Sequence, residues 1–469
     1  MPFRERKAVG LGSGRGRRLP RAALIAVAAL LLAVGAVLWF RVGPEPDVTI
    51  DSDLPGIGPR TVLTTAARTG GRGIGSIRVE LIQGAESLLL EERPHRPPRA
   101  LSFGGDPVRE AVFEVEVGSD SVPSLVEGEA TVRVSVERPG TWLRRPPPTV
   151  AELSLPVRLR PPALDSVGVV ATPTQSGSGV VRYRVGAGAT ESGVEIRGYR
   201  FPGYLVPGGV VGERFALFGV PYDGADPSSF RLVARDELGN EARVSFLSEI
   251  EPLPLKSSAI RLTDTFMSRV VPAIMAQTPE LADRGNLLDN YLMLNGDLRR
   301  MNAERLVELA SGSASRQLWS GPFRQMRNTQ VMDHFAARRQ YLYDGRVVDT
   351  QDHLGFDLAS RVQDDVPAAN SGVVVFAEYF GIYGNSVILD HGYGLQTLYS
   401  HLSRMDVVVG QEVAAGERLG LSGQTGMAGG DHLHFAVLLG GLPVNPLEWF
   451  DAKWIGDHVG AVLPLQGNG

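Results

Sequence analysis

Five of the eight histidines in this 469-residue chain fall between residues 351 and 435, in patterned groups separated by glycine-rich sequence. His353-Leu-Gly-Phe-Asp357 is followed by Tyr399-Ser-His401-Leu402, and then by Asp431-His432-Leu-His434-Phe435. A hydrolytic zinc site needs three imidazole or carboxylate ligands and one open position for water. His353, Asp357 and one of His432 and His434 supply such a set. The spacing is not the helical HExxH pattern. HxxxD and HxH instead suit extended backbone, where residues i, i+2 and i+4 share a face. The expectation is a metal site carried on a sheet.

In order and spacing, these three elements and the glycine-rich stretch 426–430 resemble the lysostaphin-type (LytM-like, M23) zinc metallopeptidases. The resemblance covers about residues 318–450, under a third of the chain. It implies a zinc endopeptidase acting on peptide cross-bridges of bacterial cell wall. It also implies roles: His353, Asp357 and His434 bind Zn2+, while His432 and His401 act as catalytic residues beside it. A rival class is the non-catalytic LytM-like protein that binds cell wall or activates an amidase. Such members lack one or more metal residues, whereas all five positions are filled here. A zinc peptidase that acts on proteins is a third reading.

The length suits three or so domains, and a hydrophobic fraction of 43% is that of a folded protein. A net charge of −5 gives no pointer to nucleic acid. The absence of cysteine excludes thiolate-ligated zinc, iron–sulfur clusters, a cysteine nucleophile and disulfides.

Residues 1–21 are strongly basic, and 22–40 run uncharged and apolar to Trp39-Phe40. About 20 helical residues span a bilayer, and basic residues before the span place the amino terminus inside. The expectation is a single-pass anchor in the cytoplasmic membrane with the later domains outside it. A cleaved signal peptide is the alternative, but its apolar region is normally shorter, about 7–15 residues. Both readings deliver the remainder outside the cytoplasm.

Residues 47–161 alternate apolar and polar residues between glycine and proline breaks, the signature of a β-sandwich-like module. A second, immunoglobulin-like module is expected over 163–251, with a closing hairpin that turns at Gly239-Asn240. Neither module carries a cluster of reactive residues. Both read as spacers, or as modules that touch cell-wall or division proteins. A helical connector follows at 257–312, where Pro272 should kink or break the first helix. Its expected role is a solvated link between domains; packing over the catalytic groove is the second reading. Short strands and many glycines then predict an antiparallel sheet for the zinc peptidase domain, 318–455. His334, His391 and His458 read as structural, and Asp352 and Asp431 as partners of the adjacent imidazoles or as solvated loop acids. The run 423–430 lacks the Gly-Lys-Ser/Thr ending of a phosphate loop and reads as a flexible groove wall. The chain as a whole is expected to be mainly β.

Overall fold

Alternation along the sequence becomes alternation of burial in the strands. Thr61–Arg68 and Gly128–Glu137 each turn every second side chain inward. The computed structural model describes residues 21–96, 106–254 and 256–463, and is mainly β. All of the basic segment expected at 1–21 except Arg21 lies outside the described residues. The chain divides into two compact units, Met1–Leu159 and Arg160–Gly469.

In the first unit the apolar run forms one helix, Arg21–Phe40, with a mean hydropathy of 2.7. Among the described residues, seven strands follow in two antiparallel sheets. One has the order Asp47–Ser52, Thr61–Arg68, Glu110–Val117. The other runs Glu86–Pro94, Ser76–Gln83, Gly128–Glu137, Thr149–Val157. Their facing sides share one core that includes Leu63, Val79, Phe113, Val132 and Val134.

The second unit begins with another pair of four-stranded sheets, between Leu164–Val169 and Glu241–Ser245. Its last hairpin, Arg231–Asp236 with Glu241–Ser245, turns through Gly239 at φ +83°. The sequence suggested a spacer here, but the module shares its core with the peptidase region. The rings of Tyr204 and Phe215 lie 4.8 and 5.1 Å from that of Tyr393. Ser178 joins the contact, its N–H donating to Glu448 (2.7 Å) and its hydroxyl accepting from Trp449 Nε1 (3.0 Å). Trp449 is fully buried, and burying a large side chain of this kind contributes roughly 2–3 kcal/mol.

Residues 257–310 also depart from a free connector. Ser257–Arg261 pairs in parallel with Ala337–Tyr343, which pairs with Arg346–His353 across the turn at Asp344-Gly345. The helix Asp264–Met275 is capped by Thr263, whose hydroxyl accepts from Phe266 N, and it ends within a turn of Pro272. Met267, Val270, Val271 and Ile274 recur at helical spacing and are buried. They share a core with Leu294, Leu298 and Leu306 of the following helical stretch, and with Ile382 and Tyr383 of the peptidase region. The apolar stripe is therefore covered by the peptidase and is not a solvated link.

The main sheet of the peptidase region has, in order, Gln330–Asp333, Phe356–Ala359, Leu433–Leu439, Leu395–Ser400, Asn385–Gly392, Gly372–Tyr379 and Glu412–Val413. Leu442–Val444 adds to Leu433–Leu439 as a tight return. Leu433–Leu439 and Leu395–Ser400 are buried along their whole length, a rigid base for whatever stands at their ends.

Candidate active site

His353 and Asp357 do not share one continuous strand, as the spacing suggested. His353 ends Arg346–His353, the chain turns at Leu354-Gly355, and Asp357 lies in Phe356–Ala359 of the main sheet. Asp357 stands directly across from His434 in the register, and His434 stands across from Ser400, which brings His401 to the same rim. Gly355 permits this closeness: a Cβ there would lie 2.6 Å from the His434 ring and 2.7 Å from the Phe435 carbonyl.

Three atoms converge. His353 Nε2 lies 3.0 Å from Asp357 Oδ1 and 3.1 Å from His434 Nδ1, and His434 Nδ1 lies 3.0 Å from Asp357 Oδ1. His353 Nδ1 faces the His334 carbonyl at 3.1 Å. A carbonyl only accepts, so Nδ1 carries the proton and Nε2 turns a lone pair toward the other two atoms. Lone pairs aimed at one another at this spacing suit a shared cation. Bonds of about 2.0–2.1 Å to a tetrahedral ion put its ligands roughly 3.3 Å apart. Burial pushes the His434 imidazole down to about 4, which keeps it neutral as a ligand must be. Its Nε2 is buried and makes no hydrogen bond. Burial alone would raise the Asp357 carboxyl, but the surrounding imidazoles, His353 first, hold it well below the ordinary range.

His432 and His401 flank this cluster. Each hands its Nδ1–H to a backbone carbonyl, of Gly430 and Thr425 respectively, both at 2.8 Å. That leaves Nε2 as the working atom on each ring. His432 Nε2 is 3.4 Å from Asp357 Oδ1, and the two rings are 4.9 Å apart. Burial lowers His432, but Asp357 more than offsets this and its affinity for a proton is raised. Burial, with His432 and His434 nearby, drives His401 well below its usual value. His401 also holds a left-handed backbone, φ +63°, which is uncommon for a residue other than glycine.

Arg339 was not singled out from the sequence as a site residue. Its guanidinium joins Asp357 Oδ2 (2.6 Å) and Asp333 Oδ2 (2.7 Å) and so fixes the carboxylate from behind. The alternation of Arg339, Tyr341 and Tyr343 along one strand carried a signal, since it puts all three on one face. Two further residues, Tyr383 beside His434 at 5.4 Å between rings and Arg299 from the helical segment, line the same cavity. The cavity holds about 340 Å3, and Phe266 and Tyr291 form part of its wall. The second reading of the helices is the one observed.

Other expectations resolve locally. Asp352 pairs with Arg338, and Asp431 accepts from Ser422 Oγ and Gln363 N, so neither orients an imidazole. His391 is bonded on both sides, to Ser371 O and Thr397 Oγ1, and is structural. The 423–430 wall is held at Gly426, Met427 and Ala428, while Gly429 and Gly430 are exposed. Met427 N donates to Ile382 O (2.8 Å), Arg269 Nη2 donates to Ala428 O (2.6 Å), and Gly426 packs on Gly384.

Residues 351–446 match Peptidase family M23. Peptidoglycan DD-endopeptidase ShyA of Vibrio cholerae serotype O1 is 31% identical over 172 residues, 37% of this chain and 37% of that protein. DD-carboxypeptidase/endopeptidase Mpg of Neisseria meningitidis serogroup B is 41% identical over 96 residues, 20% of this chain and 22% of that protein. The catalytic domain of the antimicrobial peptidase lysostaphin from Staphylococcus simulans is 27% identical with a TM-score of 0.23, covering 26% of this chain and 92% of that one. The chain thus spans well under half the length of these curated relatives. The matched residues 351–446 include all five histidine and aspartate positions, and this C-terminal region is a peptidase family M23 domain.

Proposed function

We propose that the chain is a zinc-dependent endopeptidase that hydrolyses peptide cross-bridges of bacterial peptidoglycan, held outside the cytoplasm by one membrane-spanning helix, Arg21–Phe40. The observation that carries this is the convergence of His353 Nε2, Asp357 Oδ1 and His434 Nδ1 within 3.0–3.1 Å, with two further imidazoles at its edge. The similarity to peptidoglycan DD-endopeptidase ShyA supports peptidoglycan as the substrate class.

His353, Asp357 and His434 would hold the zinc ion, and when bound it would supply Lewis acidity for the water and the scissile carbonyl. The remaining work is done by side chains. His353 is held in one tautomer by the His334 carbonyl, and Asp357 in one orientation by Arg339. His432 takes the proton of the attacking water at Nε2 and returns it to the leaving amine. Its pinned Nδ1–H keeps that nitrogen aimed at the cluster. His401 approaches from the other side. Its Nε2 carries no proton while the Thr425 carbonyl holds Nδ1–H, and it accepts a hydrogen bond from the attacking water. Tyr383 and the helical segment exclude bulk water from this side of the cavity.

The test is digestion of purified peptidoglycan by the full chain in detergent, with released muropeptides read by mass spectrometry and His434→Ala as control. New peptide termini absent from the control are expected, and they identify the bond cut. Bound zinc at one per chain without cleavage would turn the reading toward a wall-binding or amidase-activating protein. Cleavage of casein but not of peptidoglycan would turn it toward a protein protease.

A further inference from the structure

The first unit carries a loop whose composition does not suit water. Residues 138–145 read Arg-Pro-Gly-Thr-Trp-Leu-Arg-Arg, and Trp142 and Leu143 are 71% and 41% exposed. The loop sits against the end of the helix Arg21–Phe40, where Trp39 and Phe40 are also exposed.

The contact is specific. A helix leaves its last four carbonyls without intrahelical partners, and in hydrocarbon an unsatisfied carbonyl costs several kcal/mol. Here Val37 O accepts from Arg41 N (2.9 Å) and Phe40 O from Gly43 N (3.1 Å). The two between them are capped by the distant loop: Leu38 O by Thr141 Oγ1 (3.2 Å) and Trp39 O by Arg144 Nη1 (3.4 Å). The Arg144 guanidinium also lies over the Trp39 ring at 5.4 Å. Thr141 and Arg144 close the loop on themselves, Thr141 N donating to Arg144 O (2.7 Å) and Arg144 N to Thr141 Oγ1 (3.1 Å). Arg138 and Arg72 brace its base through backbone carbonyls.

Depth follows from the register. Gly35 lies beside Leu143; a Cβ there would be 3.8 Å from Leu143 Cδ1. Gly35 is five residues before Phe40, or roughly 7.5 Å down the axis, and the whole helix is about 30 Å long, the thickness of a hydrocarbon core. If the helix fills the core, Leu143 reaches below its outer boundary. Trp142 then falls in the belt that tryptophan prefers, and Arg144 and Arg145 reach outward to the headgroups.

We infer that residues 138–145 form a membrane-inserted loop, with Trp142 and Leu143 in the outer leaflet of the bilayer that Arg21–Phe40 crosses. This rests on the proposed membrane-spanning role of that helix. The first module is thereby mounted on the membrane at two places instead of swinging from a single tether.

The chain contains no cysteine, so single cysteines report cleanly. Full chains with Leu143→Cys, Leu30→Cys or Val211→Cys would carry an environment-sensitive fluorophore in vesicles of phosphatidylethanolamine and phosphatidylglycerol. Quenching is read from lipids with a nitroxide at shallow or deep positions, and from a water-soluble nickel chelate. Val211 is fully exposed in the second unit and serves as the aqueous reference. The expected result is loss of the Leu143 signal to shallow nitroxides with protection from nickel, and loss of the Leu30 signal to deep nitroxides. A Leu143 label that behaves like Val211 while Leu30 stays deep overturns the loop and leaves the span intact. Protection of Leu143 from both quenchers means a protein covers the loop, and this also overturns the inference. A Leu30 label in water removes the span itself and the inference with it. Trp142→Cys, made in parallel, guards against local disruption by one substitution.

Discussion

Gly355→Ala tests the geometry of the proposed metal centre without touching any of its ligands. Gly355 does not use the left-handed backbone region, so alanine meets no conformational penalty and its methyl group is the whole perturbation. That methyl would lie 2.6 Å from Cε1 and Nε2 of His434 and 2.7 Å from the Phe435 carbonyl, where carbon contacts normally lie at about 3.5–4.0 Å. The shortfall is on the order of 1 Å. The Phe435 carbonyl belongs to a strand paired on both sides and cannot give way, so the backbone at residue 355 and the His434 imidazole must both shift. Ligand positions tolerate only about 0.2 Å. Zinc affinity should therefore fall by roughly 10–100-fold, as when a residue that orients a ligand is lost. Stability of the metal-free protein should fall by about 1–3 kcal/mol from overpacking. Competition against a chromogenic chelator measures the first, and urea denaturation in EDTA the second. Wild-type zinc affinity in Gly355→Ala would refute the claim that His434 is locked in place by the missing side chain.

His434→Ala should lose zinc together with turnover, whereas His432→Ala should keep zinc and lose turnover; metal analysis with a peptidoglycan digest separates them, and the reverse pattern exchanges the two roles. Arg339→Met leaves Asp357 and Asp333 without their shared cation, and breaking a buried pair costs about 3–5 kcal/mol. Arg339→Lys should rescue little of this, because one ammonium lacks the fork that reaches both carboxylates, and urea titration of the three proteins decides it. Burial pushes the Glu448 carboxyl up to about 8 from its ordinary 4.5. Between those values the folded state binds more protons than the unfolded one, so the stability of the second unit should fall as pH rises through that window. Glu448→Gln should flatten the profile, as read from calorimetric transitions between pH 5 and 9.

The histidine and aspartate pattern was legible because metal ligation allows few residue types and fixed spacings, and chance seldom reproduces three such elements in order. The apolar helix and the alternating strands were legible for a similar reason, since a single period governs each. The turn at Gly239 also read directly, because few residues accept a positive φ. Contacts between distant segments were not legible. Nothing near Arg339 shows that it will meet Asp357 eighteen residues later across two sheets, and nothing in Ser178 points to Trp449. The same limit explains the helices. Their apolar stripe showed that something covers them, but periodicity names no partner, and the solvated-link expectation failed on that point.

That failure bears on specificity. The family match spans 351–446, yet Phe266, Tyr291, Arg299, Arg339 and Tyr341 line the cavity from outside it. Two hydrogen bonds fix this wall relative to the rim of the candidate site: Arg269 to the Ala428 carbonyl, and Ile382 N to Asn302 Oδ1 (3.1 Å). The first holds the glycine-rich loop, and the second holds the turn that presents Tyr383. On the proposed function, a substrate peptide entering the cavity would pass between groups supplied by both segments. The five histidine and aspartate side chains thus lie inside the matched region, whereas Arg339 and the His334 carbonyl, which orient two of them, lie outside it. On the same proposal, the shape and charge offered to the flanking parts of the peptide, with Arg299 among them, would be set by a segment that the family match does not reach.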